Sequence, residues 1–179
     1  MTTFVAFLRA INLGKHRRVP MAELRATLAD AGCTEVSTYL QSGNAILSSR
    51  ARSPGAVERS LEKAVTRDFG IAVDVMVRTA VDLAKIARSN PLLHGGGDAA
   101  HLHVAFLKSR PPAAAARALA GHEIGRDEFV LRGSELYLRY PDGVARSTMS
   151  TPVFERTLGT AATVRTWKVV TKLAELSSG

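Results

Sequence analysis

The chain has 179 residues, of which 46% are hydrophobic and 22% charged, and a single cysteine. This is a globular composition, long enough for one ordinary domain or two small ones sharing a core, and it excludes a disordered chain. No apolar run approaches a membrane span and Cys33 cannot form an internal disulfide, so a cytoplasmic protein with no membrane partner is expected.

Lys and Arg number 24 against 16 Asp and Glu, a formal net charge of +8. That balance favours anionic partners, although an Arg- and Ala-rich composition is also what GC-rich coding produces.

The opening "MTTFVAFLRAINLG" lacks a basic start and reads as a first strand over 4–9, not a leader peptide. Pro20 suits the first turn of a helix over 20–31, with Met21, Leu24, Leu28 and Ala31 on one face and Gly32 at its end. Strands over 35–41 and 44–48 flank Ser42-Gly43, a short hairpin signal. Ser53 can cap a second helix that opens with Pro54 and turns Val57, Leu61, Ala64 and Val65 inward. Residues 71–78 alternate as a strand, and a helix follows over about 80–89. The order is βαββαβ, the ferredoxin-like plan.

"NPLLHGGGDAA" then marks a glycine-rich junction. After it the pattern restarts: "HVAFLKS" at 103–109 matches "FVAFLRA" at 4–10. Pro112 opens an Ala-rich helix to about 120, as Pro20 did. Strands over 128–132 and 135–140 flank Gly133-Ser134. Thr151 and Pro152 can open a helix closed by Gly159. The matching order points to internal duplication. The reading is therefore α+β with two ferredoxin-like halves, βαββαβ then βαββα plus a C-terminal helix over 164–176. The segments are 1–90, a junction over 91–100, and 101–179.

In such a unit the carboxyl end of the first strand, the middle hairpin turn and the start of the first helix share one edge of the sheet. Arg9, Asn12, Gln41, Ser42, Gly43 and Asn44 are expected there, and the loop "AINLGKHRRV" adds Lys15, His16, Arg17 and Arg18. A helix amino end favours an anion. The equivalent connection in the second half, "KSRP", is far shorter, and long loops in compact domains often carry function. In the last segment Thr163 is read as a helix cap. That puts Arg165 in the first turn, where its charge opposes the helix dipole unless an anion or carboxylate is near. Arg165 thus joins Arg9, Asn12, Lys15, Gln41, Ser42, Gly43 and Asn44 as a candidate ligand group. Ordinary solvated loops and a salt bridge at Arg165 are the structural alternatives.

No zinc spacing, Walker loop, nucleophile elbow or dinucleotide fingerprint occurs, so neither a metal nor a cofactor is expected. The edge has amides, hydroxyls and bases but no paired carboxylates, which suits binding an anion better than acid–base work. Nucleic acid is a secondary partner, because Phe4, Phe7, Tyr39 and Phe106 fall mostly in apolar runs and read as internal. The competing classes are an enzyme on a small phosphorylated or acyl substrate, using His16 or Ser42, and an oligomeric module that pairs through a sheet edge.

"FLRAINLGKHRRVPMAELRATLADAG", "TYLQSGNAILSS", "NPLL", "ARSTMS" and "LGTAATVRTWKVVTKLAEL" closely resemble the bacterial domain of unknown function 1697 family nearly end to end. The resemblance implies a compact α+β protein of two ferredoxin-like halves and no established activity. Arg9, Asn12, Gln41, Ser42, Gly43, Asn44, Arg165 and Trp167 fit the family pattern. The chain departs from it at Ala10, where the pattern has Gly, at Thr166, where it has Asn, and at Thr148, where it often has Lys after Ser147.

Overall fold

The computed structural model describes residues 1–13, 18–93 and 99–179. These fall into two compact units, residues 1–86 with 172–179, and residues 87–171.

The first unit runs β1 (Thr2–Leu8), α1 (Met21–Asp30), β2 (Thr34–Tyr39), β3 (Asn44–Ser49), α2 (Pro54–Phe69) and β4 (Val75–Thr79), and leads into α3 (Ala80–Arg88). The sheet order is β2-β3-β1-β4 with every neighbouring pair antiparallel. Strand alternation sends Phe4, Ala6 and Leu8 to one face, where they meet Leu24 and Leu28 of α1 and Leu61 of α2. Burying each large side chain of this set contributes about 1.5–3 kcal/mol. Ser53 Oγ accepts the Ala56 amide at the start of α2, and Gly70 closes that helix in the left-handed region.

The second unit repeats the plan with β5 (Leu102–Leu107), α4 (Ala113–Ala120), β6 (Glu128–Arg132), β7 (Glu135–Arg139), α5 (Thr151–Leu158) and β8 (Ala162–Thr166), followed by α6 (Trp167–Ser177). Its order is β6-β7-β5-β8, again antiparallel throughout. The core gathers Ala105, Leu107, Leu119, Leu138, Phe154 and Leu158. The repeat extends to single hydrogen bonds. Leu8 N–H donates to Gly43 O at 2.8 Å and Arg9 N–H to Asp74 O at 2.9 Å. Leu107 N–H donates to Ser134 O at 2.9 Å and Lys108 N–H to Ala161 O at 2.8 Å.

Three local readings change. Residues 162–166 form strand β8, paired with β5, and α6 begins only at Trp167; the cap is Thr166, whose Oγ1 accepts the Val169 amide, not Thr163. Three β-branched residues in this short segment favour a strand, and it completes the second unit's fourth ladder. The first hairpin is also wider than its Ser42-Gly43 signal. Tyr39 pairs with Asn44, so Leu40 to Gly43 all lie in the turn, whereas Arg132 and Glu135 close the second hairpin around Gly133-Ser134 alone. Finally β4 starts at Val75; Ile71 and Val73 pack against the core before the ladder begins.

The edge strand β4 is sealed by its own helix. Glu58 and Glu62, one turn apart on α2, accept the Val77 and Val75 amides, each at 2.9 Å. Glu155 of α5 accepts the Ala162 amide of β8 at 2.8 Å in the equivalent place. An edge strand left open would present these N–H groups to another chain. Among the helices, Thr27 Oγ1 of α1 donates to Asp68 Oδ2 of α2 at 2.8 Å. The neighbouring Arg67 guanidinium, helped by Thr27, holds the Asp68 carboxyl down at about 2.

Glu58→Ala leaves the Val77 amide without its acceptor in a buried setting and should destabilise the protein by about 1–3 kcal/mol. Glu58→Gln keeps an acceptor oxygen and should cost less. Urea unfolding curves of the two variants measure the difference. Asp68, with its depressed folded value, contributes stability above the unfolded carboxyl pKa near ~3.9, and that contribution fades as pH falls through about 2. A carboxyl NMR titration should place its midpoint well below those of solvated aspartates.

Candidate functional site

The carboxyl end of β1 and the β2–β3 hairpin meet at one rim of the first unit, and the sequence explains how. Ile11 and Val19 are buried and anchor both ends of the connection to α1. Between them the Asn12 amide acts as a clasp. Its Oδ1 accepts the Val19 N–H at 2.7 Å, while Nδ2 donates to Val19 O and to Gln41 O, each at 2.9 Å. One side chain therefore folds the connection back on itself and ties it to the hairpin.

The hairpin is braced from inside. Asn44 is fully buried, and its Nδ2 donates to Tyr39 O at 2.9 Å and to Ser42 Oγ at 3.0 Å. Through these two bonds its amide braces the turn. Gly43 is required twice over. Its φ is +80°, and a Cβ there would lie 2.9 Å from Ile11 Cγ1 and 3.0 Å from Leu8 Cβ. Gln41 contributes its carbonyl to the Asn12 clasp, and its side chain is on the exposed surface.

The rim also concentrates backbone strain. Four non-glycine residues among those described have positive φ, and three of them, Ala10, Asn12 and Leu40, lie here. Each such residue costs energy that the surroundings must offset.

The remaining candidates are placed as follows. Arg9 stands at the end of β1, half-buried, with its amide on Asp74 O. Lys15 and His16 lie outside the described residues. Arg165 belongs to the second unit and sits within β8 opposite Val104, so the helix-dipole conflict expected for it does not arise. Its Nη1 donates to Thr163 Oγ1 at 2.7 Å and to Val164 O at 2.9 Å. Burial pushes its pKa down to about 10, still charged at neutral pH.

The sequence reading missed the counterpart of this arginine. Arg78 holds the same place in β4, opposite Val5, and its Nη1 donates to Val77 O at 2.9 Å. Each arginine is followed by a threonine, Thr79 or Thr166, whose Oγ1 accepts an amide three residues on at the start of a helix. The signal was present as a repeated Val-Arg-Thr at 77–79 and 164–166.

The family model described as "Protein of unknown function (DUF1697)" matches residues 1–137, and the chain belongs to that family. Among solved structures, the conserved bacterial protein SP0830 from Streptococcus pneumoniae shares the fold, with TM-score 0.75 and 18% identity over 98% of both chains. No curated protein matches the chain. Among the described residues, no helix is long and apolar enough to cross a membrane.

Two substitutions at the rim should move stability in opposite directions. Ala10 has φ 53°, a left-handed geometry that explains the glycine of the family pattern at this position. Ala10→Gly removes a left-handed penalty of about 1–2 kcal/mol and gives back roughly 0.4–1 kcal/mol in unfolded-chain entropy, a net gain near ~0.5–1 kcal/mol. Gly43→Ala adds that penalty to a clash with Ile11 and Leu8, and should cost roughly 2–4 kcal/mol. Chemical unfolding of both variants decides the signs.

Proposed function

We propose that this member of the DUF1697 family binds a small phosphate-bearing or otherwise anionic ligand at the rim of its first unit. Arg9 and the bases of the β1–α1 connection supply the charge. Asn12, Gln41, Ser42, Gly43 and Asn44 position that connection against the hairpin. In this reading Arg165 is the second unit's candidate group toward the same class of ligand.

One contrast carries the reading. The connection from β1 to α1 takes twelve residues and the equivalent one from β5 to α4 takes five. The second unit shows that the fold does not need the longer path. The longer path holds Ala10 and Asn12 in strained geometry, clasps itself to the hairpin, and carries Lys15, His16, Arg17 and Arg18 in sequence. Strain kept where packing does not demand it is characteristic of a functional loop. Arg18 is exposed at its end, and the whole chain is cationic at +8, so the long-range field also favours an anion.

A small ligand fits better than nucleic acid. Phe4, Phe7 and Phe106 are all buried, and Tyr39, read as internal, is half-buried on β2, so these strand aromatics do not form the row of exposed rings on which bases stack.

Thermal-shift screening with nucleotides, sugar phosphates and a short RNA, each at low and high salt, tests the proposal. At least one phosphate compound should raise the melting temperature of the wild type at both salt concentrations. Arg9→Ala should weaken its binding by roughly ten- to a hundredfold, the usual effect of losing a charge-assisted hydrogen bond. Binding undiminished in Arg9→Ala overturns the site. Shifts by every polyanion alike that vanish in salt point to a nonspecific contact instead.

A further inference from the structure

The second unit contains a cleft whose chemistry differs from that of the rim. Two adjoining cavities of about 330 and 580 Å³ share Gly125, Arg126 and Asp127 in their walls. The first is also lined by Asp142, Arg146 and Thr148, the second by His101, Glu128 and Arg139. Volumes of this order accommodate small molecules.

The walls are charge-balanced in an otherwise basic chain. Three arginines face three carboxylates, and two of the pairs are already made. Arg126 Nη1 lies 2.8 Å from Asp142 Oδ1, and Arg139 Nε lies 3.6 Å from Glu128 Oε1. The pair that remains is Arg146 and Asp127, both on the smaller cavity, and neither has an ion-pair partner among the described residues.

Arg146 belongs to "ARSTMS", a segment the rim does not use. Its neighbours have structural duties. Ser147 Oγ accepts the Met149 amide at 2.8 Å, and the buried Met149 gives its carbonyl to the Tyr140 hydroxyl at 3.0 Å. Thr148 Oγ1 donates to Glu123 O at 3.3 Å. The chain is thus fixed just after Arg146, and the Arg146 amide itself donates to Gly143 O at 3.1 Å, while the residue is exposed at the cavity.

We infer that this cleft binds a small zwitterion of the amino-acid type, its carboxylate on Arg146 and its ammonium on Asp127. With the other charges matched in pairs, a phosphate on Arg146 would meet the unmatched Asp127 carboxylate and a simple cation on Asp127 the unmatched Arg146 guanidinium, and each arrangement is repulsive. A molecule carrying both signs meets its complement at both ends, and a guanidinium fork suits a carboxylate.

Isothermal titration of the full chain with glycine, L-alanine, L-lysine and L-glutamate tests the inference. Propionate and propylamine serve as single-charge controls. At least one amino acid should bind while both controls fail. Arg146→Gln and Asp127→Asn should each weaken that binding about tenfold or more. Circular dichroism confirms that the variants, altered at solvent-facing or half-buried side chains, keep the fold. The inference is overturned if no amino acid binds, if a single-charge control binds as tightly, or if affinity survives in both cleft variants.

Discussion

The hydrogen bond from the Leu8 amide to the Gly43 carbonyl, 2.8 Å long, fixes the geometry of the first unit's rim. It extends the β1–β3 ladder one step past Asn44 and draws the hairpin corner against the end of the central strand. At that distance only a residue without a Cβ fits, because Ile11 and Leu8 occupy the space a side chain would need. The next amide, Arg9 N–H, turns to Asp74 O and brings the entrance of β4 to the same end. With both amides committed, the chain must leave the sheet at Ala10. It does so in a left-handed conformation, and the Asn12 clasp holds the chain two residues on. The ladder beneath the rim cannot slip by one residue without turning Phe4, Ala6 and Leu8 out of the core.

Much of this was written in the sequence. "VAFL" appears in both halves because each copy places the same central strand under the same kind of helical layer. The Pro-led helices and the glycines that end α2 and α5 declare themselves by residue type. Strand β8 did not. Val164 to Leu176 carries an apolar stripe at helical spacing, and a reading by periodicity ran the helix back over the strand. The wide first hairpin was hidden because its extra left-handed residue is Leu40, a residue type that rarely signals positive φ. Glu58 and Glu62 carry no signal of their role in the sequence. Their use on the β4 amides depends on which strand lies beneath α2, a tertiary fact.

The candidate sites divide along the same line. The rim was legible because topology alone brings the end of β1 and the β2–β3 hairpin together. The direction of each side chain was not: Asn44 turns inward to brace the turn, and Asn12 spends both its amide hydrogens on backbone carbonyls. The cleft of the second unit offered no local pattern. Its charges come from segments spread between His101 and Thr148, and their balance appears only once β6, β7 and the loops beside them are assembled.

The duplication gives an internal control for separating fold from function. What recurs at equivalent positions in both units is explained by what the units share. The arginines of β4 and β8 recur in this way, since Arg78 and Arg165 each return a guanidinium to the carbonyl of the residue before it. The carboxylates on Val75 and Ala162 are of the same kind. What occurs in one unit alone asks for another cause. The clasped connection of the first unit has no counterpart between Leu107 and Ala113, where five residues suffice. The cleft beside Arg146 depends on the loops of the second unit, between α4 and β6 and between β7 and α5. Two copies of one scaffold thus carry their differences in loops of unlike length and unlike charge, one basic and strained, the other lined by equal numbers of arginines and carboxylates. Divergence in binding chemistry is expected in those loops, because the sheets and their helices tolerate little change and loops tolerate much.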